Sequence, residues 1–106
     1  MHLFINEKNN VVTEAIDGLI QGASGKLSRL DGYPHIKVVV RSDWDKSRVA
    51  LISGGGSGHE PSHAGFVGRG MLTAAVCGDV FASPSVDAVL AAILAVTGPQ
   101  GCLLIV

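Results

Sequence analysis

The sequence predicts an α/β protein in which strands alternate with helices around a largely parallel or mixed sheet. Short apolar or β-branched runs have the length of strands, at 36–40, 49–52, 71–77 and 102–106. None of the 14 glycines lies in these runs, which leaves them for turns and for strand-to-helix connections. An amphipathic segment before the first run and an apolar segment before the last both predict helices.

Length and charge exclude several classes of protein. A chain of 106 residues fits one domain with a single core. Eight Lys and Arg against nine Asp and Glu give a net charge of -1, and the chain has no basic cluster that would attract nucleic acid. The longest uncharged apolar run, 88–96, has about half the length of a membrane-spanning helix, and the N-terminus lacks the pattern of a signal peptide. We therefore expect a cytoplasmic protein with neither a nucleic-acid nor a membrane partner.

The amino-terminal half predicts a helix and two strands. Apolar residues over 11–23 recur at spacings of one, three and four, which is typical of one helical stripe, and Gly22 or Gly25 can end that helix. Alternation over 36–40 predicts a strand with one wetter face. A polar turn then leads to 49–52, whose continuous apolar run is typical of a buried strand.

The carboxyl-terminal half predicts a glycine loop followed by further strands and helices. Four of the seven residues 53–59 are glycine, and Pro61 suits the first turn of a short helix after this loop. A strand over 71–77 follows. Ser83-Pro84 then supplies an N-cap and a first helical residue for a helix over 85–97.

The last apolar run and the two cysteines complete the expected core. The run 102–106 predicts a central strand, and since open α/β sheets bind ligands beyond the carboxyl ends of their strands, we expect a domain truncated after its last strand. Cys77 and Cys102 are far apart in apolar company, which predicts two reduced core thiols rather than a redox or zinc pair.

The segment 53–61, Ser-Gly-Gly-Gly-Ser-Gly-His-Glu-Pro, carries the functional signal. Successive glycine N–H groups can converge on one small polar or anionic ligand, although a tight crossover without a ligand is the alternative. The segment lacks the lysine of a P-loop, and His59 stands where G-x-S-x-G around Ser57 requires its last glycine. The imidazole of His59 can exchange protons with a bound ligand, or it can simply bond to the local backbone.

His59 and His63 also spell H-E-x-x-H, the zinc pattern of metalloproteases. Pro61 fits the first turn of a helix and not its interior, so we expect His59 in the loop and His63 within the helix. The two imidazoles then do not share a helical face, and no metal site is expected. A metal hydrolase stays as an alternative that metal analysis would test.

Two further segments follow the 71–77 strand. Gly78-Asp79 and Ser83-Pro84 could approach the same crevice as the glycine loop, although turn and capping chemistry explain them equally well. Arg69, between two glycines, is expected to be a solvated loop charge.

Three segments together closely resemble the amino-terminal part of dihydroxyacetone (glycerone) kinases: 53–61, then Gly-Phe-Val-Gly-Arg-Gly-Met-Leu at 65–72, then Cys-Gly-Asp-Val-Phe-Ala-Ser-Pro at 77–84. The resemblance runs from about Phe4 to Val106. It implies that residues 1–106 are an amino-terminal fragment of the substrate-binding kinase domain. It also implies a set of residues that contact dihydroxyacetone, with His59 as the acid/base group: Gly56, Ser57, Gly58 and His59.

The resemblance further implies phosphoryl transfer to dihydroxyacetone, giving dihydroxyacetone phosphate. ATP and Mg²⁺ would bind outside this fragment, which itself would bind no cofactor, and the intact enzyme would be a homodimer. A Lys-Asn-Tyr-Thr-Gly-Asp segment and a second histidine that the family uses in its site are absent from the 106 residues. Segments 72–77 and 86–96 are more similar to the ATP-dependent branch. A phosphoenolpyruvate-dependent phosphotransferase-system subunit and a non-catalytic ketose-binding subunit or regulator are the alternatives.

Overall fold

The structure is a computed structural model that describes residues 11–30, 32, 36–57, 63–80 and 83–105. These residues form two α-helices, five strands and a short 3-10 helix. The helices are α1 (Val11–Gly22) and α2 (Val86–Val96), and the 3-10 helix is Ala64–Phe66. The strands are β1 (Leu27–Arg29), β2 (Lys37–Arg41), β3 (Ala50–Ser57), β4 (Ala74–Val80) and β5 (Cys102–Ile105).

The described strands form one mixed sheet in the order β1-β2-β4-β3-β5. β1 pairs with β2 and β2 pairs with β4 in antiparallel fashion, whereas β3 is parallel to both β4 and β5. The predicted α/β fold with a largely parallel or mixed sheet is therefore confirmed in its mixed form. Because β3, β4 and β5 run in one direction, their carboxyl ends meet at one edge of the sheet, which we call the carboxyl edge.

Helices cover both faces of the sheet. α1 and the 3-10 helix pack on one face, and α2 packs on the other. Val38 and Val39, adjacent residues of β2, are both 0% exposed. The expectation of a wetter face on this strand is therefore wrong at these positions, because successive side chains point to opposite faces and both faces are covered.

The turn after β2 is hydrogen-bonded to the end of α2. The indole Nε1 of Trp44 donates a hydrogen bond to the carbonyl oxygen of Val96 at 2.7 Å. A Cβ at Gly98 would meet the backbone carbonyl oxygen of Lys46, so this position, two residues beyond the end of α2, must be glycine for the turn to pack. The glycine predicted as the helix stop is thus required by packing, while Thr97 is the C-cap of α2.

The sequence did not predict β1. Its three residues lie in a stretch of small and polar residues without a hydrophobic period. Side chains hold it in place: the hydroxyls of Ser28 and Ser42 are 2.5 Å apart, and Arg29 forms an ion pair with Asp17 of α1. A strand this short is defined by its partners and not by its own pattern.

Two element boundaries differ from prediction. β4 begins at Ala74 and not at Met71, because residues before it turn back on the segment after the 3-10 helix, where the Leu72 N–H donates to the Phe66 carbonyl at 3.0 Å. The N-cap of α2 is Ser85 and not Ser83, since the Ser85 hydroxyl accepts a hydrogen bond from the Ala88 N–H at 3.1 Å.

β5 lies at the edge of the described sheet, where a central strand was expected. It pairs with β3, and Leu103, Leu104 and Ile105 are exposed. Its apolar composition predicts that both faces are covered, but composition does not set the number of neighbouring strands.

Two further expectations concern the cysteines and a membrane-spanning helix. Both cysteines are reduced thiols, with Cys77 buried and Cys102 partly buried, as predicted. Within the described part of the chain, neither helix has the length and hydropathy required to cross a bilayer.

Candidate functional site

The glycine-rich segment lies at the carboxyl edge. Gly54 pairs with Val76 and Gly55 with Cys77, and after a register shift Ser57 pairs with Val80. Strand geometry thus continues through residues that were expected to form a loop. Glycine has little preference for strands, so the sequence predicts a loop, but pairing with β4 supplies the backbone hydrogen bonds that hold a strand.

Gly54 has a steric role of its own. A Cβ at this position would meet the carbonyl oxygen of Val76 on the neighbouring strand, so only glycine allows this approach. Packing against β4 therefore explains one of the glycines without any ligand. The other glycines of the segment need a different reason.

The structure describes two of the four predicted substrate contacts. Gly56 is exposed near the end of β3, and Ser57 is the last residue of that strand, so both lie at the carboxyl edge. Gly58 and His59 lie outside the described residues, as does Pro61. A role for any of them in binding stays a prediction.

His63 precedes the 3-10 helix with φ -63° and ψ -40°. The prediction that it lies within a helix is wrong, because only one short 3-10 turn follows it. That turn contains Gly65 and is followed by Gly68, and glycine disfavours the continuation of a helix. The Phe66 N–H donates to the His63 carbonyl at 3.0 Å, which fixes the start of the turn.

The imidazole of His63 contacts β3. Its Nδ1 lies 3.2 Å from the Oγ of Ser53, and this hydroxyl in turn donates to the carbonyl oxygen of Ile105 at 3.1 Å. Ser53 is only 8% exposed. Ser53 opens the segment 53–61, but the sequence predicted no contact for its side chain. A serine that ends an apolar run just before glycines is a usable signal for a buried polar contact.

The end of β4 and the start of α2 approach the same edge, as the sequence suggested. Gly78 and Asp79 lie in β4 just before Val80, the partner of Ser57. Pro84, at the approach to α2, lines a cavity of about 150 Å³ together with Gly54 and Ile105. The carboxyl edge therefore combines the glycine backbone of β3, the N-terminus of α2 and a small, largely apolar cavity.

A wider cavity of about 730 Å³ opens at the opposite edge of the sheet. Its lining includes Lys26, Arg41 and Arg69, the last of them exposed as expected. Arg41 donates to both carboxylate oxygens of Asp43, at 2.9 and 3.1 Å, and this hydrogen bonding lowers the pKa of the Asp43 carboxyl. The Asp43 carboxylate already pairs with the guanidinium of Arg41, and open α/β sheets typically bind ligands at the carboxyl ends of their parallel strands. The carboxyl edge is therefore the candidate functional site.

We expect the protein to bind no stoichiometric zinc. The described residues contain no cluster of three or more His, Cys, Asp or Glu side chains, and the Nδ1 of His63 already lies beside Ser53. Metal analysis after gel filtration measures this. About one zinc per chain, lost when His59 or His63 is changed, would contradict the prediction.

A family model for the Dak1 domain matches residues 17–106. The chain belongs to the Dak1 family. It is 64% identical over 104 residues to the dihydroxyacetone kinase of Citrobacter freundii, a match that spans 97% of this chain and 19% of that protein. The crystal structure of the native Citrobacter enzyme superposes with a TM-score of 0.93 at 62% identity, over 99% of this chain and 20% of that one. These matches confirm the resemblance and the fold.

Two other similar proteins are named for different roles. The dihydroxyacetone-binding subunit DhaK of a phosphotransferase-system-dependent kinase from Listeria innocua is 46% identical over 106 residues, spanning 100% of this chain and 31% of the subunit. The dihydroxyacetone kinase operon co-activator DhaQ superposes with a TM-score of 0.78 at 37% identity, over 86% of this chain and 27% of that one. This chain therefore spans about a fifth to a third of the length of these relatives.

Proposed function

We propose that these residues are the amino-terminal part of the substrate-binding domain of an ATP-dependent dihydroxyacetone kinase. The reaction is transfer of the terminal phosphoryl group of ATP to a hydroxyl of dihydroxyacetone, giving dihydroxyacetone phosphate. The observation that carries the proposal is the 64% identity to the Citrobacter kinase across 97% of the chain, a span that includes the glycine segment of β3.

The carboxyl edge suits a small neutral ketose. Such a ligand offers carbonyl and hydroxyl oxygens, which backbone N–H groups at Gly56, Ser57 and Gly58 can bind without a charged side chain. His59 follows directly and would move a proton to or from the bound ketose. Catalysis of phosphoryl transfer depends mainly on positioning and electrostatics, which agrees with a rigid strand end as the substrate platform.

ATP and Mg²⁺ belong to another part of the full-length protein in this proposal. The glycine segment lacks the lysine of a P-loop, and the described residues contain no cluster of oxygen ligands that would hold Mg²⁺. The described residues therefore do not fit Mg²⁺, and the glycine segment does not fit the phosphates of a nucleotide. The Citrobacter relative has been crystallised with AMP-PNP and Mg²⁺, which supports the same nucleotide chemistry in the complete protein.

Two alternatives within the family keep the ketose site and change the rest. One is a subunit phosphorylated through a phosphotransferase system, as the name of the Listeria relative states, and the other is a regulator like the co-activator. Identities of 46% and 37% to these relatives, against 64% to the Citrobacter kinase, favour the single-chain ATP-dependent enzyme.

We expect the full-length protein that carries this segment to phosphorylate dihydroxyacetone with ATP and Mg²⁺, and the isolated 106-residue chain to give no turnover. The missing nucleotide-binding part is the physical reason. A coupled assay on both proteins, with contaminating kinase excluded, measures this. Turnover by the short chain, or turnover of the long one only with a phosphotransferase-system partner, would contradict the proposal.

The proposal also includes a cytoplasmic homodimer. Two reduced cysteines fit a reducing compartment. The dimer rests on the family resemblance, and light scattering on the full-length protein tests it.

A further inference from the structure

A chain of hydrogen bonds links three elements at the carboxyl edge. It runs from the imidazole of His63, before the 3-10 helix, to the hydroxyl of Ser53 on β3 and then to the carbonyl of Ile105 on β5. Ser53 is nearly buried, at 8% exposure, whereas His63 is an exposed residue, so the link is shielded from water at its Ser53 end. The proposed reaction gives these two hydrogen bonds no role.

Counting protons fixes the direction of both bonds. A carbonyl oxygen such as that of Ile105 can only accept, and a serine hydroxyl has one proton to donate. The Ser53 proton therefore goes to Ile105, and the Ser53 oxygen must accept from His63. The two bonds exist together only if Nδ1 of His63 carries a proton, which in the neutral ring leaves Nε2 as an acceptor.

The other ring nitrogen lies against the glycine segment. A Cβ at Gly55 would sit 3.3 Å from Nε2 of His63, so the imidazole rests on the open face that glycine provides. Ser53 and Gly55 are two residues apart on β3 and thus face the same side of the sheet. The imidazole therefore contacts both Ser53 and the backbone of Gly55 on β3.

We propose that His63 is a positioning residue for the dihydroxyacetone site. Through its Nδ1 proton and Ser53 it holds the glycine segment of β3 in fixed register with the carboxyl end of β5. The two strand ends that border the binding edge then move as one unit, which lowers the cost of ordering them around a ligand. This inference rests on the proposed function, since the ligand is the one assigned there.

Side-chain geometry supplies a test with a conservative rescue. The amide nitrogen of asparagine can occupy the place of Nδ1 and donate to Ser53, whereas leucine has a similar size and no donor. In the full-length protein, we expect His63→Leu and Ser53→Ala each to raise KM for dihydroxyacetone about tenfold, the size of one lost hydrogen bond of a partly buried pair, with little change in kcat. His63→Asn should stay within about threefold of the wild-type KM. The Ser53→Ala/His63→Leu double variant should be no worse than the poorer single variant, because both break the same chain.

A second measurement does not depend on activity or on variant folding. Nitrogen NMR of the imidazole in the wild-type full-length protein distinguishes the two neutral tautomers, and we expect the proton on Nδ1. A proton on Nε2 alone would overturn the inference. So would a KM for His63→Asn as high as that of His63→Leu, or additive effects in the double variant. If the wild-type protein does not phosphorylate dihydroxyacetone, the proposed function fails, and the tautomer still decides whether the hydrogen-bond chain exists.

Discussion

Replacing His59 by asparagine in the full-length protein is expected to lower kcat for dihydroxyacetone phosphorylation by about 10²-fold or more, the usual contribution of a positioned acid or base. Asparagine keeps part of the size and hydrogen bonding of histidine but cannot exchange a proton. The thermal midpoint should barely move. Measuring kcat, KM and the thermal midpoint on one variant separates chemistry from loop order.

The competing role for His59 is to order the glycine segment. In that case His59→Asn would lower the thermal midpoint and raise KM while kcat stayed near normal, and the acid/base role would be rejected. His35→Asn is the matched control, because His35 lies in a polar stretch outside the glycine motif. We expect that change to leave kcat, KM and the melting curve as in the wild type.

Gly54→Ala is expected to cost about 3 kcal/mol of unfolding free energy, at the upper end of the range for overpacking. The added methyl group would meet the Val76 carbonyl oxygen, which is backbone and cannot rotate away as a side chain can. β3 and β4 would have to separate where they support the carboxyl edge, so, if the proposed ligand binds there, dihydroxyacetone binding should weaken as well. Urea unfolding of the full-length protein, through the transition of the domain that carries these residues, measures the loss.

Gly18→Ala is the matched control for that experiment. Gly18 lies in α1, and a Cβ there would have no atom within 4 Å. Alanine is the better helix former, so this variant should gain roughly 0.5–1 kcal/mol. If Gly54→Ala unfolds at the same urea concentration as the wild type, the close approach of β3 to β4 is not what this position requires.

The sequence was informative where one element is long enough to show its own period. The apolar stripe of α1 predicted that helix to within a residue of its observed end. The Ser-Pro pair at 83–84 predicted the N-cap of α2 to within two residues of its observed position. β1, with three residues, has no period to detect. Only its pairing with β2, from Leu27 opposite Arg41 onward, makes it a strand.

The glycine motif of the candidate site can be found in the sequence, whereas the contacts between its residues cannot. The glycine density before His59 pointed to the carboxyl edge of the sheet, because a strand precedes it. The strand pairing of Gly54, by contrast, depends on a neighbour more than 20 positions away. The link from Ser53 to Ile105 spans 52 positions and is created by the sheet order alone. Spacing in one sequence does not contain such contacts.

The order of strands also has a consequence for how the chain folds. β1 and β2 are close in sequence and antiparallel, so closing their connection costs little entropy, whereas Ser53 and Ile105 pair across 52 positions. During synthesis the amino-terminal pair can form early, while β3 keeps one edge open until β5 has left the ribosome. Three glycines near the end of β3, at 54, 55 and 56, weaken that open edge as a template for pairing with other chains. The carboxyl edge is thus assembled last, by the two paired strands that are farthest apart in sequence.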